Sequence, residues 1–180
     1  MTTHTLDDLL EALEDVDDAT REEAAKALAE LGDPKTIDPL VSACGDDFWS
    51  VRAYAGCAVA KIGGPKALEA LVGLFNDAIM EVRNQAVEAT AKMGTAVVGR
   101  MIAALKDERW RVREHAAKTC GEIRDKSAVD ALIAVCRDRD GAVKSAAAEA
   151  LGKIGDAKAV PALIKLFRED RKSTRLNSQS

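Results

Sequence analysis

The side chains here with nucleophilic or metal-binding chemistry are four cysteines, Cys44, Cys57, Cys120 and Cys136, and two histidines, His4 and His115. Zinc or iron centres gather such groups at short, paired spacings, and none of these six is so paired. A cysteine nucleophile needs a base on the same face, yet His115 stands five residues before Cys120, which on a helix places the two on different faces. Cys57 falls where Lys26, Glu88, Lys118 and Glu149 stand in other repeats, so an exposed, reactive thiol is expected there, and the other three cysteines are expected to be buried. No glycine-rich loop precedes a helix to cradle phosphate. The expectation is therefore no catalytic residue, no cofactor, no metal and no enzyme.

The chemistry that does recur is an ion pair. Arg21, Arg52, Arg83, Arg113 and Lys144 succeed one another at steps of 31, 31, 30 and 31 residues, each preceded six positions earlier by an aspartate: Asp15, Asp46, Asp77, Asp107 and Asp138. Self-similarity at such a period marks a stack of supersecondary units that bury their apolar faces against one another.

The elements that position these charges emerge from the same register. Three residues after each anchor stands Ala24, Ala55, Ala86, Ala116 or Ala147, and ten after it Leu31, Ile62, Met93, Ile123 or Ile154. This is the spacing of a first helix, A. Gly32, Gly63, Gly94 and Gly155 suit its left-handed stop, and Asp33, Asp125 and Asp156 are N-caps for a second helix, B. Helix B carries Ile37, Leu40, Val41 and Cys44 in the first repeat and Val160, Leu163, Ile164 and Phe167 in the fifth. Leu6, Leu9, Leu10 and Leu13 fit the same template, so the chain opens on a capping half repeat over 1–14. Five repeats then span 15–45, 46–76, 77–106, 107–137 and 138–169, giving about eleven helices in a single domain, an all-α, right-handed α-solenoid. The third repeat is one residue short across Gly94–Gly99, and Arg124 stands where glycine is expected.

Composition agrees with helices. Aromatic residues are 3% of the 180 and apolar residues 47%, and strands would draw on more β-branched and aromatic residues. A net charge of −4 offers no general attraction to nucleic acid or anionic lipid. No apolar run is long enough to span a membrane, and Met1 to Leu13 lacks a signal peptide's basic start, so a cytoplasmic chain is expected.

The Asp-x5-Arg pattern of Asp46–Arg52, Asp77–Arg83, Asp107–Arg113 and, with lysine, Asp138–Lys144, then paired alanines and an apolar-Gly-Asp turn, resembles the short HEAT-like repeat named after phycobilin lyases. The resemblance runs from Thr5 to Glu169 and implies an armadillo-like solenoid in which these ten charges form a structural ladder. It also implies two functional classes: a protein- or peptide-binding scaffold, or an accessory subunit handling a bilin or other prosthetic group. Deoxyhypusine hydroxylase, similar in fold, holds di-iron with His-Glu dipeptides, whereas this chain has Glu114-His115 in the inverted order.

Partner contact is expected at Trp49 and Trp110, each three residues before its anchor, although an indole there could equally shield a seam between repeats. The outward face of helix B offers Asp38, Glu69, Arg100 and Asp130, a groove for an extended peptide or helix with basic positions. Up to Lys35 the chain has eleven acids against three bases, which would steer a basic partner. Asp170–Ser180 resembles the translation of a sequencing-library adaptor and is read as a non-native tail; without it the net charge is −6. The last helix B would then lack a cover, and fraying or self-association is expected at that end.

Overall fold

A computed structural model describes residues 5–177, with side chains through Glu169; His4 and the side chains of the expected tail lie outside the described residues. Among the described residues there are eleven α-helices: α1 (Leu6–Ala12), α2 (Asp18–Leu31), α3 (Ile37–Ala43), α4 (Trp49–Ile62), α5 (Gly64–Leu74), α6 (Met80–Lys92), α7 (Val98–Ala104), α8 (Trp110–Ile123), α9 (Val129–Val135), α10 (Gly141–Ile154) and α11 (Val160–Asn177). They gather in two compact units, Met1–Val97 and Val98–Ser180. The division falls inside the one-residue-short third repeat, between its helices A and B.

The A helices are α2, α4, α6, α8 and α10. Each starts after an aspartate whose carboxylate accepts the amide hydrogen two residues on, at 2.8–2.9 Å for Asp15, Asp46, Asp77, Asp107 and Asp138. That turn frees the N-cap positions of α4, α6 and α8 to hold Phe48, Ile79 and Arg109, none of which caps with its side chain. The backbone turns left-handed at the end of α2, at Gly32 with φ 61°, and of α10, at Gly155 with φ 71°. Arg124 takes the same role at φ 59°, a conformation costing a side-chain-bearing residue about 1 kcal/mol or more. Asp33, Asp125 and Asp156 do act as N-caps, but the segment capped is a 3-10 turn, Pro34–Thr36, Lys126–Ala128 or Ala157–Ala159, which runs on into helix B.

In the first unit the core is Ala24, Leu28, Leu40, Val51, Ala55, Val59, Leu71 and Val82, all essentially buried. Each fully buried leucine contributes about 1.5–3 kcal/mol. The second unit buries Met101, Val112, Ala116, Cys120, Leu132, Val143, Ala147 and Leu151 in the same way. Small residues set the spacing between successive A helices. A Cβ placed on Gly121 of α8 would lie 2.8 Å from the Cα of Ala150 in α10, so glycine is what lets these two backbones touch.

Candidate binding surfaces

The charges with the most regular geometry bind the repeats to one another. In the first unit the Arg21 guanidinium grips the carboxylate of Asp46 through Nε at 2.8 Å and Nη2 at 3.0 Å, while Nη1 donates to the carbonyls of Asp15 and Val16. Arg52 treats Asp77 in the same way, at 2.6 and 3.0 Å, and reaches the carbonyls of Asp46 and Asp47. In the second unit Arg113 chelates Asp138 at 2.7 and 2.8 Å and donates to the carbonyls of Asp107 and Glu108. Each guanidinium thus fastens its own turn with one nitrogen and the next repeat with two, a fork that lysine cannot reproduce.

The rungs are uneven. Arg83 keeps its two carbonyl bonds, but its Nε is buried without a hydrogen-bond partner. Asp107 is gripped by Arg109, two residues along its own turn. The Lys144 side chain forms no hydrogen bond or ion pair among the described residues. Burial alone would push the Asp46 and Asp77 carboxyls up, but the chelating arginines and the turn amides outweigh it and hold both below the usual carboxylate range. The arginines hold Asp107 and Asp138 down as well. Permanently paired ions of this kind are poor acid–base catalysts.

The outward B-helix charges prove to be paired. Lys66 reaches Asp38 at 2.5 Å and Lys158 reaches Asp130 at 2.6 Å, all four side chains being about two-thirds exposed. Such pairs add little stability, yet each cancels an acid that would otherwise face a basic ligand. The signal is present in the register: a lysine stands 28 residues after each of these aspartates. Glu69 lies exposed on α5, and Arg100 is half-buried on α7.

The helix starts offer a different surface. Trp49 opens α4 and is 40% exposed; Ile79 and Met80 open α6 at 40% and 64%; Val16, before α2, is 98% exposed. Large apolar groups therefore stand at successive turns of the first unit. At the first two turns of this unit lies a cleft of about 460 Å³ lined by Glu14, Asp15, Arg21, Ser42, Asp46 and Asp47 among others. Of its acids Asp46 is neutralised by Arg21, whereas the exposed carboxylates of Glu14, Asp15 and Asp47 form no salt bridge among the described residues, Asp47 feeling Arg52 only through space. The sequence alone does not single out Ile79 and Met80, because it does not show which side of a helix start faces solvent. In the second unit Trp110 opens α8, 38% exposed, with the Arg111 guanidinium 4.8 Å from its ring centroid.

The thiols and imidazole stay apart from this edge. Burial pushes Cys44 and Cys120 up to about 12, and raises Cys136 too. Cys57 is half-buried, and burial raises it as well, against a smaller opposing pull from Lys92. This corrects the expectation of an exposed, reactive thiol there. His115 is buried with Nδ1 2.7 Å from the Arg111 carbonyl. Among the described residues no group of three His, Cys, Asp or Glu side chains could hold a metal ion, and no helix is long and apolar enough to cross a membrane.

The paired-helix architecture has clear counterparts. A chain solved in work on microtubule plus-end tracking by XMAP215, CLIP-170 and EB1 matches with a TM-score of 0.69 at 18% identity, over 92% of this chain and 89% of that one. A chain of the Kap95p–RanGDP structure matches at 0.67 and 15% identity, over 89% of this chain and 27% of that one. The CpcE–CpcF complex of phycocyanin lyase from Nostoc sp. PCC7120 matches at 0.50 and 23%, over 87% and 67%. At these identities the likeness is one of fold alone. No curated protein matches by sequence. HEAT repeats, however, are matched over residues 6–91 and 98–179, the span of both units, and with the helix pairs and their charged rungs this places the chain in the HEAT-repeat family.

Proposed function

We propose that this chain is a non-enzymatic binding module that holds a basic segment of a partner protein along the helix-start edge of its first unit. The observations that carry this reading are that exposed Trp49, Ile79 and Met80 stand at successive helix starts of the first unit and that the first turns of that unit carry the exposed acids Glu14, Asp15 and Asp47, which form no salt bridge among the described residues. Tryptophan supplies large rigid contact area, and acids steer a cationic partner and fix its register. Trp110 gives the second unit an anchor at the same register position. The outward B-helix residues Asp38, Glu69, Arg100 and Asp130 are secondary in this scheme, since Lys66 and Lys158 already offset two of them.

Affinity capture with mass spectrometry tests the reading on the full chain, on Trp49→Ala/Trp110→Ala and on Asp38→Lys/Glu69→Lys, each of confirmed fold. The expected result is a partner lost with the tryptophan pair and retained with the charge pair. Loss with the charge pair alone would put the partner on the B-helix face instead.

A further inference from the structure

The helix starts of the second unit carry charge of the opposite sign to those of the first. The residue just before the aspartate that leads each helix A is Glu14, Gly45 or Asn76 in the first unit, and Lys106 or Arg137 in the second. With Arg109, Arg111 and Arg139 these make five bases in the turns that lead α8 and α10, apart from the rung residue Arg113. The two turns form one surface. Arg113 donates to the carbonyls of Asp107 and Glu108 in one turn while it chelates Asp138 in the other. Arg139 reaches back from the second turn to the Glu108 carbonyl, at 3.5 Å.

Much of the acid in these turns is already engaged. Arg109 holds Asp107, Arg113 holds Asp138, and Asp140 accepts the amides of Ala142 and Val143 at the start of α10. Lys106, Arg137 and Arg139 remain exposed, with Glu108 as the exposed acid among them. The side chains of Lys106 and Arg137 form no hydrogen bond or ion pair among the described residues. Trp110 rises from the same surface, 38% exposed, and the guanidinium of half-buried Arg111 lies 4.8 Å from its ring centroid. That cation–π contact steadies the indole and adds positive charge beside it. In the next repeat Gly141 stands in the register of Trp110, so the neighbouring turn brings no bulk at that position.

An exposed indole is matched by an apolar group, and the bases around it by carboxylates, which guanidinium forks bind best. We infer that the turns leading α8 and α10 dock an acidic segment of a partner protein, with an apolar residue on Trp110 and Asp or Glu against Lys106, Arg137 and Arg139. This surface lies in the second unit; it goes beyond the reading of the first unit's edge and does not depend on it. A nucleic-acid strand fits less well, because Glu108 stands within the patch and the chain's net charge of −4 repels a phosphate backbone. A second copy of this chain would bring Glu14, Asp15 and Asp47, but these are fixed on helix turns of their own, whereas an extended segment can fit a carboxylate to each base in succession.

A short labelled peptide of glutamates around a central phenylalanine would be titrated against the full chain by fluorescence anisotropy. A labelled oligodeoxythymidine and sedimentation of the chain alone would run alongside. The glutamate peptide should bind one per chain and more weakly as salt rises. Arg137→Glu/Arg139→Glu, at exposed positions, should weaken it at least ~tenfold and Trp110→Ala several-fold. Lys35→Glu/Lys92→Glu changes the net charge equally at exposed positions of the first unit and should cost no more than about twofold. Trp49→Ala should leave the affinity unchanged, which separates this test from that of the first unit's edge. Absence of binding, indifference to Arg137→Glu/Arg139→Glu or to Trp110→Ala, an equal loss with Lys35→Glu/Lys92→Glu, or a loss with Trp49→Ala overturns the inference. So does tighter binding of the oligodeoxythymidine through the same residues, or a chain that sediments as a dimer until Arg137→Glu/Arg139→Glu is introduced, since nucleic acid or a second copy would then hold the surface.

Discussion

At the scale of single residues, the aspartate of each repeat accepts the amide that starts its own helix A, and in three rungs the same carboxylate also receives the guanidinium of the repeat before. Removing Arg52 would leave Asp77, whose side chain is 7% exposed, without its chelating partner, with only the more distant charge of Arg83 to offset it. Arg52→Ala should therefore cost about 2–3 kcal/mol in denaturant unfolding. Arg83→Ala loses two carbonyl bonds but strands no chelated acid, and its cost should be smaller by about 1 kcal/mol. Equal losses would show that the carboxylate contributes nothing. The same carboxyls set an acid limit. Because Asp46, Asp77, Asp107 and Asp138 have folded values below the unfolded one, their contribution is fully present above about pH 4 and is lost as pH falls through the folded values. A urea midpoint that falls below pH 4, and falls less in Asp77→Asn, is the expected profile.

At the scale of elements, the closest approach of two backbones is set by glycine, where α8 meets α10. Gly121 meets backbone of α10, which cannot step aside, so Gly121→Ala should destabilise by about 1–3 kcal/mol despite alanine's better helix propensity. Gly152, on α10, faces open space, and Gly152→Ala should instead stabilise by about 0.5–1 kcal/mol. Thermal unfolding of the two variants should move in opposite directions; parallel shifts would contradict the close-approach account. Much of this layer is legible in the sequence. The alanines three residues beyond each anchor and the glycines eleven beyond it mark the helix pairs, because helical period and left-handed stops depend on local sequence. The 3-10 turns before α3, α9 and α11 are not legible there, since an aspartate N-cap announces either kind of helix. The pairing of Asp38 with Lys66 is legible only as a recurrent spacing of 28 residues, and that it closes into a contact depends on the lateral distance between neighbouring repeats.

At the scale of the whole molecule, charge and exposed apolar surface are distributed unequally. The first 35 residues hold eleven acids and three bases, and the exposed groups Val16, Trp49, Ile79 and Met80 lie at turns in and after that stretch. Repeats place surfaces in register, and in the first unit most of the exposed large apolar groups stand at helix starts. The tryptophans stand out in the sequence by their rarity. Which acids of the first turns stay without a salt bridge becomes visible only when the rungs show which aspartates are already neutralised.

Binding of a basic protein segment by the helix-start edge of residues 1–97 is tested most directly by selecting peptides from a random library on the full chain. The expected peptides carry Lys or Arg flanking an apolar residue, bind more weakly as salt rises, and are weakened ~tenfold by Trp49→Ala or Met80→Ser. A selection that returns no basic peptides, or basic peptides indifferent to both substitutions, would contradict it.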